Sequence, residues 1–170
     1  MYTFCFQMMY NETSIEINQE IQKMSTRSEI AIENKDGSIS SIYCHSDGYL
    51  EYNGQILNNH YNSYELASSI ISQNDCSSLG ETIEDSRFYN TWRNEDTKAK
   101  NFDSEYHFMQ EFGDNIFAEY IYLFKDDEWY VSELKFIDNP HDNYNHCIGY
   151  HTKFTLLDIA LSNLPLEESA

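Results

Sequence analysis

The chain has 170 residues, with 29 Asp and Glu against 10 Lys and Arg, a formal net charge of -19. Cations this few, none of them clustered, cannot displace the phosphate counterions on which nucleic-acid binding depends, so direct binding to DNA or RNA is disfavoured. A composition that is 41% hydrophobic and 15% aromatic suffices for the core of one domain and excludes global disorder.

Residues 1–23 carry neither the basic start and apolar stretch of a secretory signal nor a run that could span a bilayer. Tyr2-Thr3-Phe4-Cys5-Phe6 has the composition of an extra strand. Alternatively the segment is an extension ahead of a start at Met24, because Gln19-Glu20 can be encoded by a purine-rich ribosome-binding stretch. Without it the charge is still -17, since three Glu and one Lys leave with it. A single domain is then expected over 24–166, with a frayed tail at 167–170.

Residues 28–33 and 38–45 are β-rich and flank Asn34-Lys35-Asp36-Gly37. An Asp-Gly turn between apolar strands predicts a hairpin. From Met24 the run reads Met-Ser-Thr-Arg-Ser, a strand, Asp-Gly-Ser, then Ser-Ile-Tyr-Cys-His, one residue and Asp-Gly-Tyr, followed by Gly54, Leu57 and His60-Tyr61. This pattern resembles that of a family of small acidic proteins of bacteriophages and other mobile elements. The resemblance implies a genomic setting, and with it the cytoplasm of a bacterial host, but no activity.

Further along, 54–61 predicts a short helix with Ile56, Leu57 and Tyr61 as its apolar residues, Asn53 as N-cap and His60 near its end. A helix over 63–73 places Leu66, Ala67, Ile70 and Ile71 on one face, with Asn62 and Glu65 in capping-box positions. The polar stretch 74–100, with Gly80, Phe88, Tyr89 and Trp92, reads as a functional loop by its length. Asp103 then caps a third helix carrying Glu105 in its first turn and Phe102, Tyr106, Met109 and Phe112 on its apolar side, closed by Gly113.

Residues 115–124 and 129–137 predict strands around Lys125-Asp126-Asp127-Glu128. The stretch 138–151 reads as a loop, and 155–164 as a last helix with Leu156, Ile159, Ala160 and Leu164 inward and Pro165 ending it. The expected fold is α+β, a single domain in which an antiparallel sheet of at least two hairpins packs with three or four helices.

Ser-His-Asp, phosphate-loop, dinucleotide, HExxH and paired CxxC signatures are all missing. Cys5, Cys44, Cys76 and Cys147 are widely scattered, so reduced thiols are expected. Three constellations stand out. His141, His146, Cys147 and His151 are soft ligands at no zinc spacing, so no metal or other cofactor is expected. Cys44, His45 and Asp47, with His60 returning toward them, are the alternative thiol or hydrolase site, which requires a base in space because neighbouring strand residues face apart. Third, 14 tyrosines, with Tyr120, Tyr122 and Tyr130 on strands, suit a protein-binding or self-associating sheet face.

The leading expectation is a non-enzymatic accessory protein that binds a host macromolecule through a basic surface, most simply a defence nuclease or CRISPR effector, by acidic mimicry of nucleic acid. Glu81, Glu84, Asp85, Asp96, Asp126, Asp127 and Glu128 would supply the charge, and Trp92, Tyr120 and Tyr122 the apolar anchors.

Overall fold

The first hairpin forms where its turn residues place it. β1 (Ser28–Glu33) and β2 (Ile39–Cys44) pair antiparallel, from Ser28↔Cys44 to Glu33↔Ile39. Gly37 N–H donates to the Asn34 carbonyl at 2.9 Å, and Gly37 sits at φ +83°, the left-handed position that glycine occupies without strain. The computed structural model describes residues 26–112, 117–138 and 147–165. The expectations for 1–23, for Gly113, for 115–116 and for the tail lie outside them.

The second hairpin joins β6 (Tyr120–Lys125) to β7 (Glu128–Asp138) through two residues, Asp126 and Asp127, at φ 53° and 62°. Two left-handed residues in a two-residue loop are what a type I′ turn requires, and Asp tolerates that region. The hairpins meet through β1 and β6, which run parallel from Ser28↔Tyr120 to Ile32↔Phe124. The sheet is therefore mixed, and the expectation of a purely antiparallel one is corrected. A parallel joint needs a long crossover, and the connection from β2 to β6 carries four helices.

The sheet has nine strands among the described residues, ordered β4-β3-β2-β1-β6-β7-β8. β3 (Cys76–Ser78) and β4 (Arg87–Phe88) extend it beyond β2, β5 (Lys100–Phe102) also pairs with β2, and β8 (Cys147–His151) and β9 (Thr155–Leu156) pair with β7. Residues 147–151 thus form a strand where a loop was expected. Leu134 to Asp138 of the long β7 offers them a ladder that no local pattern announces.

The helices are α1 (Gln55–His60), α2 (Tyr64–Ile71), the single turn α3 (Tyr89–Trp92), α4 (Glu105–Phe112) and α5 (Leu157–Ser162). A π-helical turn, Leu50–Gly54, leads straight into α1, so Asn53 is not an N-cap but a buried residue inside the turn. Ser63 rather than Asn62 caps α2, its hydroxyl accepting from Leu66 N–H. At α4 the Ser104 hydroxyl accepts from His107 N–H, the role expected of Asp103. Leu157 is the buried residue of α5, Ala160 and Leu164 pack against the core as expected, and Ile159, expected inward, is exposed. Pairing of Thr155 and Leu156 with β7 delays the helix.

Strand alternation sends Ile30, Ile32, Ile42, Tyr122, Phe124 and Val131 to one face, where α1, α2 and α5 cover them with Leu57, Ile70 and Leu157. The other face carries Ala31, Ile39, Ile121 and Leu123 against Phe108 and Phe112 of α4. Each fully buried side chain of this size contributes roughly 1.5–3 kcal/mol.

Glu29 faces this second layer and is 1% exposed, its carboxyl 2.5 Å from the Ser41 hydroxyl. Burial pushes it up from 4.5 to about 7, against the smaller opposing pull of Ser41 and Lys100. The folded state therefore holds this proton more tightly than the unfolded chain does. The associated stability is complete at low pH and is lost as pH rises through about 7, on the order of 3 kcal/mol. We predict that E29Q flattens the pH dependence of urea unfolding between about pH 5 and 8 and is the more stable form at the alkaline end. A parallel decline of both proteins would show that Glu29 is not the titrating group.

Candidate functional site

The helical layer does not close completely over the sheet. Two cavities of about 400 and 410 Å³ lie along its margin, and Glu51 of the π-helical turn lines both. The first is walled by Leu50, Val131, Ala160 and Leu164, with Tyr120, Glu133 and two threonines as its polar lining. The second is lined by Glu51, Tyr52, Gln55, Ile56, Gly80, Glu81 and Asp85. Glu51 is common to both, and this pair of acidic cavities, each with one tyrosine in its lining, is the groove referred to below.

Local chemistry fixes these walls. The bonds Gly54 N–H to the Tyr49 carbonyl and Gln55 N–H to the Leu50 carbonyl span five residues, and the widened turn buries Asn53 while leaving Glu51 and Tyr52 outside. Asn53 Nδ2 donates to Ser28 Oγ at 3.1 Å, pinning the turn to β1. The acidic wall is a closed loop. Thr82 Oγ1 donates to the Asp85 carboxylate at 2.8 Å, and Ser86 Oγ donates to the Thr82 carbonyl while accepting from Gly80 N–H. A Cβ on Gly80 would lie 2.7 Å from the Asp85 backbone, so the loop closes this tightly only with glycine there. Tyr61 holds it to α1, its hydroxyl donating to the Gly80 carbonyl at 3.0 Å and its own carbonyl accepting from Trp129 Nε1 at 2.9 Å.

The field inside is negative. Burial first, then the carboxylates of Glu133, Glu51 and Glu119, push the Tyr120 phenol up to about 12. Lys135 pairs with Glu133 and Arg27 with Glu119, and His60 Nε2 lies 3.9 Å from Glu81. Glu51, Glu84 and Asp85 have no ion-pair partner among the described residues. The groove can thus accept hydrogen bonds from a guanidinium or ammonium group and pack its apolar stem against tyrosine and leucine.

Of the residues singled out in the sequence, Glu81, Asp85 and Tyr120 meet at this groove, and Glu84 sits exposed on the same loop. Tyr122 does not. It is fully buried, stacked beside Tyr120, and its hydroxyl donates to the Gly48 carbonyl at 2.9 Å, so its expected role as a surface anchor is corrected. Strand position decides this, because Tyr122 lies opposite Ile30 beneath the helical layer. Asp127 and Glu128 line a smaller cavity of about 160 Å³ with Asp158, and Asp126 stands exposed at the turn. Trp92 is half exposed, but Arg87 and Arg93 lie over its ring, and Asp96 is exposed nearby in sequence. Tyr130 is half-buried beneath Lys125.

The thiol constellation does not assemble. Cys44 is fully buried, its thiol directed at the Ser46 carbonyl, whereas His45 is exposed and 3.1 Å from the Tyr43 hydroxyl. Asp47 occupies a left-handed turn, with burial raising its carboxyl, and His60 faces Glu81. His141 and His146 and the Cys147 side chain lie outside the described residues, while His151 Nδ1 is 3.4 Å from Ser132 Oγ. Among the described residues no group of three or more His, Cys, Asp or Glu could hold a metal, and no helix is long and apolar enough to cross a membrane.

Sequence reasoning missed Glu51, Tyr52 and Glu133. The only signal for the first two is the run Gly48-Tyr49-Leu50-Glu51-Tyr52 ahead of the expected helix, to which no role was assigned. No family model, curated protein or solved structure matches the chain.

The two stacked tyrosines should separate in function and stability. Y122F leaves the Gly48 carbonyl without its buried donor and is expected to cost about 1–3 kcal/mol in urea unfolding, whereas Y120F changes stability little. Equal losses in both would contradict the assignment of Tyr122 to the core and Tyr120 to the groove.

Proposed function

We propose that this protein is a non-enzymatic binding module, and that its acidic groove takes up a basic surface of a host macromolecule. The observation that carries this is the convergence of Glu51, Glu81 and Asp85 with Tyr52 and Tyr120 on two cavities that share Glu51. Tyrosine supplies contact area at low entropic cost, and carboxylates such as Glu51 and Asp85, which have no ion-pair partner among the described residues, are matched by a cation from outside. The burial of Cys44 apart from the exposed His45, and the approach of His60 to Glu81, support binding over thiol catalysis.

The chain's likeness to acidic proteins of phages and mobile elements supplies the setting, the cytoplasm of a bacterial host. In that setting the partner we favour is a defence nuclease of the CRISPR or restriction kind, whose nucleic-acid channel is rich in Arg and Lys. The mechanism is occlusion: carboxylates stand where phosphates would, and the tyrosines fix the register.

Affinity capture of the tagged full chain from host lysate, followed by mass spectrometry, tests the class. A stoichiometric nuclease or other nucleic-acid enzyme is expected, and its absence at low as well as physiological salt would contradict the proposal. E51K/E81K/D85K is expected to weaken capture at least about tenfold and to flatten its salt dependence, while D126K/D127K has the smaller effect. Equal effects of the two variants would mean that general acidity, not the groove, drives binding.

A further inference from the structure

Away from the groove, two thiols meet across the sheet. Cys44 and Cys76 are the directly opposed pair where β2 runs parallel to β3, and both are free and fully buried. Neighbouring strands lie about 4.8 Å apart, within the Cα separation of roughly 4.4–6.8 Å that a disulfide spans. Asn53 Nδ2 donates to the Cys44 sulfur at 3.4 Å. The neighbouring Cys76 thiol first, and Asn53 after it, favour the Cys44 thiolate, while the nearby Cys44 sulfur and then burial hold the Cys76 thiol well above its ordinary value. The Asn53 Oδ1 atom of the same amide is buried without a hydrogen-bond partner.

β3 is three residues long, its register is irregular between Cys76 and Ser78, and it meets β2 at this one residue pair. On the β2 side its attachment continues through His45 and Ser46, whose N–H groups donate to the Cys76 and Ser77 carbonyls at 3.0 and 2.9 Å, and on its other side Cys76 and Ser78 pair with Phe88 and Arg87 of β4. A three-residue strand this far from the centre of the sheet opens locally at lower cost than the central ladders. Opening exposes both sulfurs without disturbing the β1–β6 joint.

We propose that Cys44 and Cys76 are a latent disulfide that forms when hydrogen peroxide reaches them, clamping β3 to the sheet. The Cys44 thiolate attacks one peroxide oxygen, the O–O bond breaks, and the departing hydroxide takes up the proton that Cys44 released. The Cys76 sulfur then attacks the Cys44 sulfenic acid. The S–S bond forms, the S–O bond breaks, and the hydroxyl leaves as water with the Cys76 proton. In sum, two thiols lose two electrons and two protons, and one peroxide becomes two waters. The disulfide also closes the segment between residues 44 and 76, which carries the π-helical turn, α1 and α2.

Peptide mapping of the full chain, reduced and then treated with hydrogen peroxide under native conditions, tests this directly. The expected product is a Cys44–Cys76 cross-linked peptide, released by dithiothreitol, with hydrogen exchange at Ser77 and Ser78 slowed at least about tenfold. Overoxidation of Cys44 or Cys76 to sulfinic acid, pairing with Cys5 or Cys147, or persistence of both thiols would overturn the proposal. A cross-link with exchange at Ser77 and Ser78 unchanged would overturn the clamp. C76A tests the order of attack: its Cys44 is expected to stop at a sulfenic acid trapped by dimedone, and an unreactive Cys44 would refute the assigned nucleophile.

Discussion

The parallel ladder between Ser28–Ile32 and Tyr120–Phe124 is the joint on which the rest of the molecule depends. It unites two hairpins that their turn residues specify separately, and both hydrophobic layers cross it. Ile30 and Tyr122 stand side by side beneath the helices, while Ala31 and Leu123 do so against α4. At one end Glu119 closes the ladder on Arg27, accepting from its backbone N–H at 2.7 Å. Such a pairing is costly to nucleate, because a long chain must be ordered before its first contact forms. Its stability then comes from side chains on both faces rather than from local propensity.

The groove is a consequence of that joint. Tyr120 stands opposite Ser28, and the π-helical turn is held over β1 and β6 by two polar contacts, Tyr122 to the Gly48 carbonyl and Asn53 to Ser28 Oγ. A widened helical turn places Glu51 and Tyr52 outward and Leu50 and Asn53 inward from four consecutive residues. Tyr61 and Trp129 tie the opposite wall to the same layer. The carboxylates are therefore presented on a rigid frame, which lowers the entropy lost on binding a cation.

What the sequence made legible follows from how local each cause is. Both hairpins could be read because Asp36-Gly37 and Asp126-Asp127 carry the left-handed conformations in their own chemistry. Both α2 and α4 form where apolar spacing puts them, but their inward faces are rotated: Leu66 and Tyr106 are exposed and Phe108 is buried with Phe112, and each cap moved by one residue, to Ser63 and Ser104, where serine rather than Asn62 or Asp103 met the first free N–H groups. The parallel joint, β8 and β9 were not legible, since each is created by a partner strand distant in the chain. Nothing local marks Glu29, and the packing of α4 over β1 and β2 is what makes it a buried acid. Of the site, Glu81, Asp85 and Tyr120 could be chosen by charge and strand position. Glu51 and Tyr52 required the π-helical turn, which has no local signature, and Tyr122 was misplaced because alternation gives two faces without saying which one the helices cover.

The most direct measurement is site-specific photocrosslinking in host lysate, with the crosslinker placed at Tyr52 in the groove and, separately, at Trp92 on the arginine-flanked surface. Tyr52 should crosslink to an Arg- or Lys-rich segment of one host protein, in salt-dependent fashion, while Trp92 gives little or nothing. Crosslinking from Trp92 alone, or from neither position, would contradict the assignment of the acidic groove as the binding face.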